Sequence, residues 1–263
     1  MRISSNDSVV FLMGPTASGK TKLALEIFDR FDVSLISVDS ALIYRGMDIG
    51  TAKPSPETLE NYPHELIDIC EPEESFSVNH FVNLAKEHIN LALKENKLPV
   101  LVGGTSFYFH ALEHGLSELP ESTKDSRKHF NDLLKNRGSE KLHSQLVKID
   151  PKSAERIHPN DSQRITRALE VFHLSGQTLS ELQGNQAINK LDHQIKKIIL
   201  MPDRSELHLR IEKRFMKMME SGFLDEVEIL RNNKNLNLDL ASMRCVGYRQ
   251  AWKYFDGVYD KQE

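Results

Sequence analysis

Residues 9–21, with the sequence VVFLMGPTASGKT, decide the fold of this chain. The first five form a continuous apolar run, which is typical of a strand buried on both faces. Gly14 ends the run, and from Lys20 onward apolar residues recur at helical spacing as far as Phe31. The stretch therefore predicts a strand, a glycine-containing loop and an amphipathic helix in direct succession.

The loop between this strand and helix matches the pattern G-x-x-x-x-G-K-[ST] in full, and chance gives the bare pattern in only about one chain in a hundred of this length. Glycines let backbone N–H groups face inward around phosphate oxygens, and the helix N-terminus adds a partial positive charge. Lys20 supplies a full charge, and the Thr21 hydroxyl is a candidate ligand for Mg²⁺. The predicted phosphate-binding residues are Gly14, Pro15, Thr16, Ala17, Ser18, Gly19, Lys20 and Thr21. The pattern alone leaves open whether the phosphates belong to a nucleoside triphosphate or to another diphosphate.

Further strands and helices alternate along the chain. Apolar runs predict strands at 33–38, 100–102 and 195–201, and helical spacing predicts a helix at 78–95. Alternation of this kind predicts an α/β fold, with a mostly parallel, P-loop NTPase-like sheet flanked by helices.

Residues 118–192 differ from the rest, because strand-like runs disappear there. Polar, basic helices are predicted instead at 127–136, 139–148 and 161–175. We interpret this region as a helical insertion into a P-loop core formed by residues 1–117 and 193–263.

A helix predicted at 202–222 returns the chain to that core. Its methionines, Met218 and Met219, are interpreted as core packing. Arg210 and Arg214 lie four residues apart on one face, and this spacing favours a solvated face over a contact with phosphate.

Composition narrows the functional classes. The 263 residues are 39% hydrophobic and 27% charged, which is typical of a soluble globular enzyme. The formal net charge of −4 argues against a non-specific nucleic-acid coat. The chain has two cysteines, no signal-peptide pattern, no apolar run long enough to span a membrane and no coiled-coil pattern. We therefore expect a cytoplasmic monomer with no membrane contact.

A carboxylate is predicted beside the phosphate loop. Asp39 directly follows the strand at 33–38, and Thr105 follows the strand at 100–102. Ligands of open α/β sheets bind beyond the carboxyl ends of the strands, so both side chains should face the loop. There Asp39 can act as a general base or hold Mg²⁺ through water, or it can cap the following turn.

Several longer segments carry a family resemblance. They are Gly14–Thr21, Ile36–Tyr44 (ISVDSALIY), Gly46–Pro54 (GMDIGTAKP), Leu101–Thr105 (LVGGT), Arg156–Asp161 (RIHPND), Gln163–Glu170 (QRITRALE) and Arg244–Arg249 (RCVGYR). In these segments, and in their order, the chain resembles the bacterial tRNA dimethylallyltransferases over nearly its whole length.

The resemblance implies transfer of dimethylallyl from dimethylallyl diphosphate, with Mg²⁺, to N6 of adenosine 37 in tRNAs that read codons starting with U. It implies that Asp39 accepts the proton, that Thr105 orients the base or the leaving oxygen, and that Lys20 stabilises the departing diphosphate. It places the anticodon stem-loop against the helical insertion and parts of the core. The implied tRNA-binding residues are Asp39, Ser40, Ala41, Leu42, Thr105, Arg127, Gln163, Arg164, Ile165, Thr166, Arg167, Arg244, Cys245, Val246, Gly247, Tyr248 and Arg249.

One feature departs from the family pattern. Family members run several tens of residues further, with a basic helical segment that meets tRNA, and this sequence lacks that C-terminal segment.

Three alternatives stay open from the sequence. A small-molecule P-loop kinase would bind ATP in the loop and use Asp39 to activate a hydroxyl. A prenyltransferase for free adenine nucleotides would need no helical platform such as 163–167. A non-catalytic tRNA binder would need neither the phosphate loop nor Asp39.

Overall fold

The structure is a computed structural model that describes residues 8–184, 188–258 and 260. The chain divides into two compact units, one formed by Met1–Glu113 with Leu191–Glu263 and the other by His114–Lys190. The predicted boundaries lie after residues 117 and 192, and the structural boundaries lie after residues 113 and 190. We call the two parts the core unit and the helical unit.

The core unit contains a five-stranded, fully parallel sheet in the order β3-β2-β4-β1-β5. The strands are β1 Ser8–Met13, β2 Val33–Val38, β3 His64–Glu65, β4 Leu98–Gly103 and β5 Gln194–Ile199. The register places Val100 of β4 between Val10 of β1 and Leu35 of β2. Because β1, β2 and β4 are covered on both faces, their apolar runs are almost continuously buried, as predicted. The P-loop NTPase-like α/β fold is confirmed.

Helices flank this sheet and make up the helical unit. In chain order they are α1 Lys20–Phe28, α2 Pro56–Asn61, α3 Val78–Lys94, α4 Ser106–His114, α5 Lys124–Arg137, α6 Ser139–Ile149, α7 Pro151–Arg156, α8 Ser162–Ser175, α9 Leu179–Gly184, α10 Arg204–Glu220, α11 Phe223–Asn232 and α12 Tyr248–Phe255. The helices predicted at 127–136, 139–148 and 161–175 correspond to α5, α6 and α8. No helix among the described residues is long and apolar enough to cross a membrane.

The helical unit has a hydrophobic core of its own, in which Leu142, Leu146, Ile165 and Val171 are fully buried. A polar cluster lies beside it, where Glu170 accepts hydrogen bonds from Ser122 and Ser126 and pairs with Arg167. Burial raises the pKa of Glu170, but these hydrogen bonds outweigh it and hold the pKa below its ordinary value. The carboxylate therefore stays ionised inside the unit.

Gly103, at the end of β4, allows two strands to approach closely. A Cβ atom at this position would lie 1.9 Å from the carbonyl oxygen of Val38 on β2. We expect Gly103→Ala to destabilise the protein by at least about 3 kcal/mol and to lower the thermal unfolding midpoint by about 5–10 °C. Gly184→Ala is the matched control, because no other part of the described chain comes within 4 Å of its added Cβ. An unchanged midpoint for Gly103→Ala would contradict this packing.

Candidate active site

A cavity of about 1310 Å³ opens in the core unit at the carboxyl ends of β1, β2 and β4. Its lining includes residues 16–21, 39–42, 50–52, 102–105 and 244–248, together with Tyr108, Arg214, Phe215, Met218 and Met219. The phosphate loop, Asp39 and Thr105 therefore share one cavity.

The phosphate loop joins β1 to the N-terminus of α1. Residues 16–21 line the cavity. Gly14 supports the loop from behind, because a Cβ atom there would lie 2.5 Å from the carbonyl oxygen of Leu200. Gly19 adopts a left-handed φ of 96° at the helix N-cap, which directs the chain into α1. The ammonium of Lys20 donates to the carbonyl of Pro15 at 2.6 Å and lies 3.4 Å from the hydroxyl of Ser18.

Asp39 uses one carboxylate oxygen for local structure and leaves the other available. Its Oδ1 accepts the backbone N–H groups of Ala41 at 2.8 Å and Leu42 at 3.3 Å. Among the described residues, no donor reaches its Oδ2. The carboxylate therefore caps the following turn and still offers an acceptor to the cavity.

Thr105 is held next to this turn. Its hydroxyl oxygen accepts the N–H of Ser40 at 3.1 Å, and its hydroxyl lies 3.5 Å from the Ser40 hydroxyl. The N–H of Thr105 donates to the carbonyl of Val38. The ends of β2 and β4 are thus tied together, which fixes Thr105 beside Asp39.

Electrostatic coupling joins the ionisable groups of the cavity. Burial lowers the pKa of Lys20, opposed by the charge of Asp39 and reinforced by that of Arg214. Burial and the Asp39 charge raise the pKa of Tyr108 to about 12 and of Cys245 to about 11. Cys245 is therefore a protonated thiol at neutral pH.

The prediction of a solvated face was wrong for Arg214. Its guanidinium lines the cavity, is half-buried and donates to the backbone carbonyl of Thr51 at 3.1 Å. Burial lowers its pKa, while Asp39 opposes that shift. Arg210 remains more exposed, pairing with Glu206 at 2.6 Å and reaching the carbonyl of Ala17 at 3.5 Å.

The interpretation of the α10 methionines as core packing is confirmed in part. None of the residues of this helix is fully buried. Met218 and Met219 are half-buried against the cluster around Phe223 and Tyr248, and they line the cavity. With Phe215, they form an apolar wall beside the charged groups rather than part of a closed core.

Comparison with known proteins decides the family. The family model described as IPP transferase matches residues 42–263. The chain is 63% identical to the tRNA dimethylallyltransferase of Ruthia magnifica subsp. Calyptogena magnifica, over 100% of this chain and 86% of that protein. The chain belongs to the IPP transferase family.

Two further relatives agree with this membership. The tRNA dimethylallyltransferase of Vesicomyosocius okutanii subsp. Calyptogena okutanii is 62% identical, over 100% of this chain and 86% of that protein. The crystal structure of a tRNA isopentenylpyrophosphate transferase from Bacillus halodurans has a TM-score of 0.67 and 37% identity, covering 97% of this chain and 80% of that one.

In this IPP transferase family member, the segment 244–249 contributes to the cavity lining. Arg244 and Val246 are exposed, whereas Tyr248 is buried and donates its hydroxyl to Glu226 at 2.6 Å. Residues 244–248 line the cavity. Arg249 is exposed on the first turn of α12.

The helical unit offers fewer free side chains than the sequence predicts. Gln163 is exposed, and Arg164 is an exposed cation 3.5 Å from Asp161. The Nε of Arg127 donates to the hydroxyl of Ser122 at 2.9 Å.

Three residues on α8 are engaged within the helical unit. The Thr166 hydroxyl donates to the carbonyl of Ser162, and Arg167 binds Glu170 and the carbonyl of Pro120. The Ile165 side chain is fully buried in the unit's core, so it presents no surface to a nucleic acid. The helical period explains this correction, because it turns Ile165 toward the core of the unit while Gln163 and Arg164 stay exposed.

Proposed function

We propose that this protein transfers a dimethylallyl group from dimethylallyl diphosphate to N6 of adenosine 37 in tRNAs that read codons starting with U, forming N6-(dimethylallyl)adenosine. Membership of the IPP transferase family supports prenyl transfer to tRNA over the kinase and free-nucleotide alternatives. The single observation that carries the mechanism is the free oxygen of Asp39 in the same cavity as the phosphate loop.

The donor diphosphate binds at the N-terminus of α1. Residues 16–21 supply backbone N–H groups, and Lys20 and Arg214 supply two positive charges. The apolar wall formed by Phe215, Met218 and Met219 suits a short hydrocarbon chain. One side of the cavity thus matches the charged end of the donor, and another matches its apolar end.

The acceptor nitrogen is a poor nucleophile, because its lone pair is delocalised into the adenine ring. As N6 forms a bond to C1 of the dimethylallyl group, the bond from C1 to the diphosphate oxygen breaks. The proton that N6 loses passes to Oδ2 of Asp39, which acts as general base. Lys20 and Arg214 stabilise the negative charge that develops on the leaving diphosphate. Thr105, held by Ser40, orients the base.

Mg²⁺ fits this site as a partner of the diphosphate. Thr21 lines the cavity, and no cluster of three or more His, Cys, Asp or Glu side chains among the described residues could hold a metal by itself. A site with few protein ligands is typical of Mg²⁺ that is bound mainly through substrate phosphates. Bound there, the ion would neutralise part of the donor's charge, with Thr21 as its protein ligand.

The tRNA acceptor contacts each unit through exposed polar side chains. On the core unit these are Arg244 and Arg249, and on the helical unit they are Gln163 and Arg164. The target base must leave its stack, which costs a few kcal/mol, about what several such contacts return. We place the protein in the cytoplasm, acting as a monomer on the anticodon stem-loop.

Transfer of label from dimethylallyl diphosphate tests this function. With Mg²⁺ present, unmodified tRNA should acquire the label and free AMP should not. Binding of ATP but not of dimethylallyl diphosphate would instead favour the kinase. Label in AMP alone would favour the free-nucleotide enzyme.

The ionisation of Lys20 predicts a pH dependence of donor binding. Burial lowers the pKa of Lys20 from its ordinary 10.5. Only the charged ammonium attracts a diphosphate, so donor affinity should fall as the pH rises, and the fall should begin at a lower pH than an ordinary lysine would give. Calorimetric titration with dimethylallyl diphosphate measures this fall. The Lys20→Met variant should lose it, and an equal alkaline fall in that variant would contradict the assignment.

A further inference from the structure

The carboxylate of Glu226, on α11, lies outside the cavity lining but binds one of its loops. Its Oε2 accepts the backbone N–H groups of Asp48 at 2.8 Å and Ile49 at 2.7 Å. Its Oε1 accepts the N–H of Gly50 at 3.1 Å and the hydroxyl of Tyr248 at 2.6 Å. Each oxygen therefore accepts two donors.

Three consecutive N–H groups that converge on one anion form a nest, and bonds to an ionised acceptor are stronger than neutral ones. The loop is also pinned sterically. A Cβ atom on Gly50 would lie 2.2 Å from the ring of Phe223 and 2.6 Å from that of Tyr248. The position of residues 48–50 is thus set by α11 and α12.

The next residue, Thr51, connects this loop to the charged part of the cavity. The carbonyl of Thr51 accepts the hydrogen bond from the guanidinium of Arg214 at 3.1 Å. The charge of Arg214 lowers the pKa of Lys20, and the charge of Asp39 raises the pKa of Arg214. The three groups therefore interact electrostatically. A shift of the 48–51 backbone would therefore move the Thr51 carbonyl that holds this guanidinium in place.

We propose that Glu226 is a positioning residue that holds the 48–51 loop, and through the Thr51 carbonyl holds Arg214 toward the donor diphosphate. The inference rests on the proposed function, because it requires a diphosphate beside Lys20. Glu226 itself touches no substrate.

The test is a double-mutant cycle on donor affinity. Glu226→Gln keeps one acceptor oxygen but turns an amide NH₂ toward two donors, so the affinity for dimethylallyl diphosphate should fall about tenfold. The affinity of the Arg214→Gln variant should fall by at least as much. If Glu226 acts through Arg214, the double variant should bind about as weakly as Arg214→Gln alone. Glu228→Gln, an exposed position on the same helix, is the matched control and should bind normally.

Two further measurements separate positioning from folding. Thermal unfolding of each variant reports stability, and Glu226→Asp, which keeps the charge on a shorter side chain, should retain an intermediate affinity. If the effects of Glu226→Gln and Arg214→Gln on affinity multiply fully, the inference is overturned, whatever the loss of stability. If the wild-type protein binds ATP but no dimethylallyl diphosphate, the proposed function fails and takes the inference with it.

Discussion

Replacement of Asp39 by asparagine is expected to lower the single-turnover rate of transfer about 10²–10⁴-fold, the usual contribution of a general base. The amide oxygen can still accept the N–H groups of Ala41 and Leu42, so the turn after β2 should survive. The second position becomes an NH₂ group, which cannot take a proton from N6. Donor affinity and the thermal unfolding midpoint should therefore change little. Rapid-quench measurement with labelled donor separates the chemical step from binding.

Asp32→Asn is the matched control for this prediction. Asp32 is an exposed aspartate that directly precedes β2, at the opposite edge of the sheet from the cavity. Its replacement should leave the rate unchanged. A rate for Asp39→Asn within about threefold of wild type would remove Asp39 from the role of base.

Removal of the Lys20 charge is expected to lower the transfer rate about 10²–10³-fold, as for loss of one preorganised donor to a developing oxyanion. Lys20→Met keeps much of the side-chain volume but removes one of the two positive charges that Lys20 and Arg214 offer to the departing diphosphate. Because that charge grows in the transition state, the chemical step should suffer more than donor affinity. Single-turnover rates at saturating donor measure the difference.

The control for Lys20 lies two residues away on α1. Lys22 is 84% exposed at its side chain and lies 4.0 Å from Glu26, so Lys22→Met should transfer at the normal rate. Equal losses in the two variants would point to a general effect of charge and contradict a specific role for Lys20.

Much of the fold follows from local sequence. The strands β1, β2 and β4 are buried on both faces, so their continuous apolar runs are strong signals. The phosphate loop fixes the order of strand, loop and helix around it. In the insertion, α8 has an apolar stripe at helical spacing, and its predicted bounds differ from the structural ones by only one residue at the start.

Elements whose form depends on tertiary packing were missed. The sequence of α4, SFYFHALEH, is rich in aromatic residues with modest helix propensity, and burial of Tyr108 and Phe109 stabilises it. The buried residues of α11, Phe223, Val227 and Leu230, recur at helical spacing, but this helix has only 10 residues and α12 only 8. Both pack against the cluster around Phe223. No pattern within either segment fixes that contact.

In the site, too, some residues follow from local sequence and others depend on tertiary contacts. Asp39 and Thr105 could be predicted because parallel strands end at one edge, so position in the chain gives position in space. Arg214 reaches the cavity through a contact with Thr51, a residue 163 positions away. Its spacing from Arg210 alone describes a helix face and does not say what that face meets. Glu226 gave no signal at all, because its partners are backbone N–H groups.

The most direct test of dimethylallyl transfer is to locate the transferred group in tRNA. Wild-type protein, dimethylallyl diphosphate and Mg²⁺ are incubated with an unmodified tRNA that reads codons starting with U, and with the same tRNA carrying guanosine at position 37. Nuclease digestion and mass spectrometry then identify the modified nucleoside. We expect N6-(dimethylallyl)adenosine at position 37 of the first tRNA and no product in the second. Dimethylallyl at another position, or equal modification of both tRNAs, would contradict it.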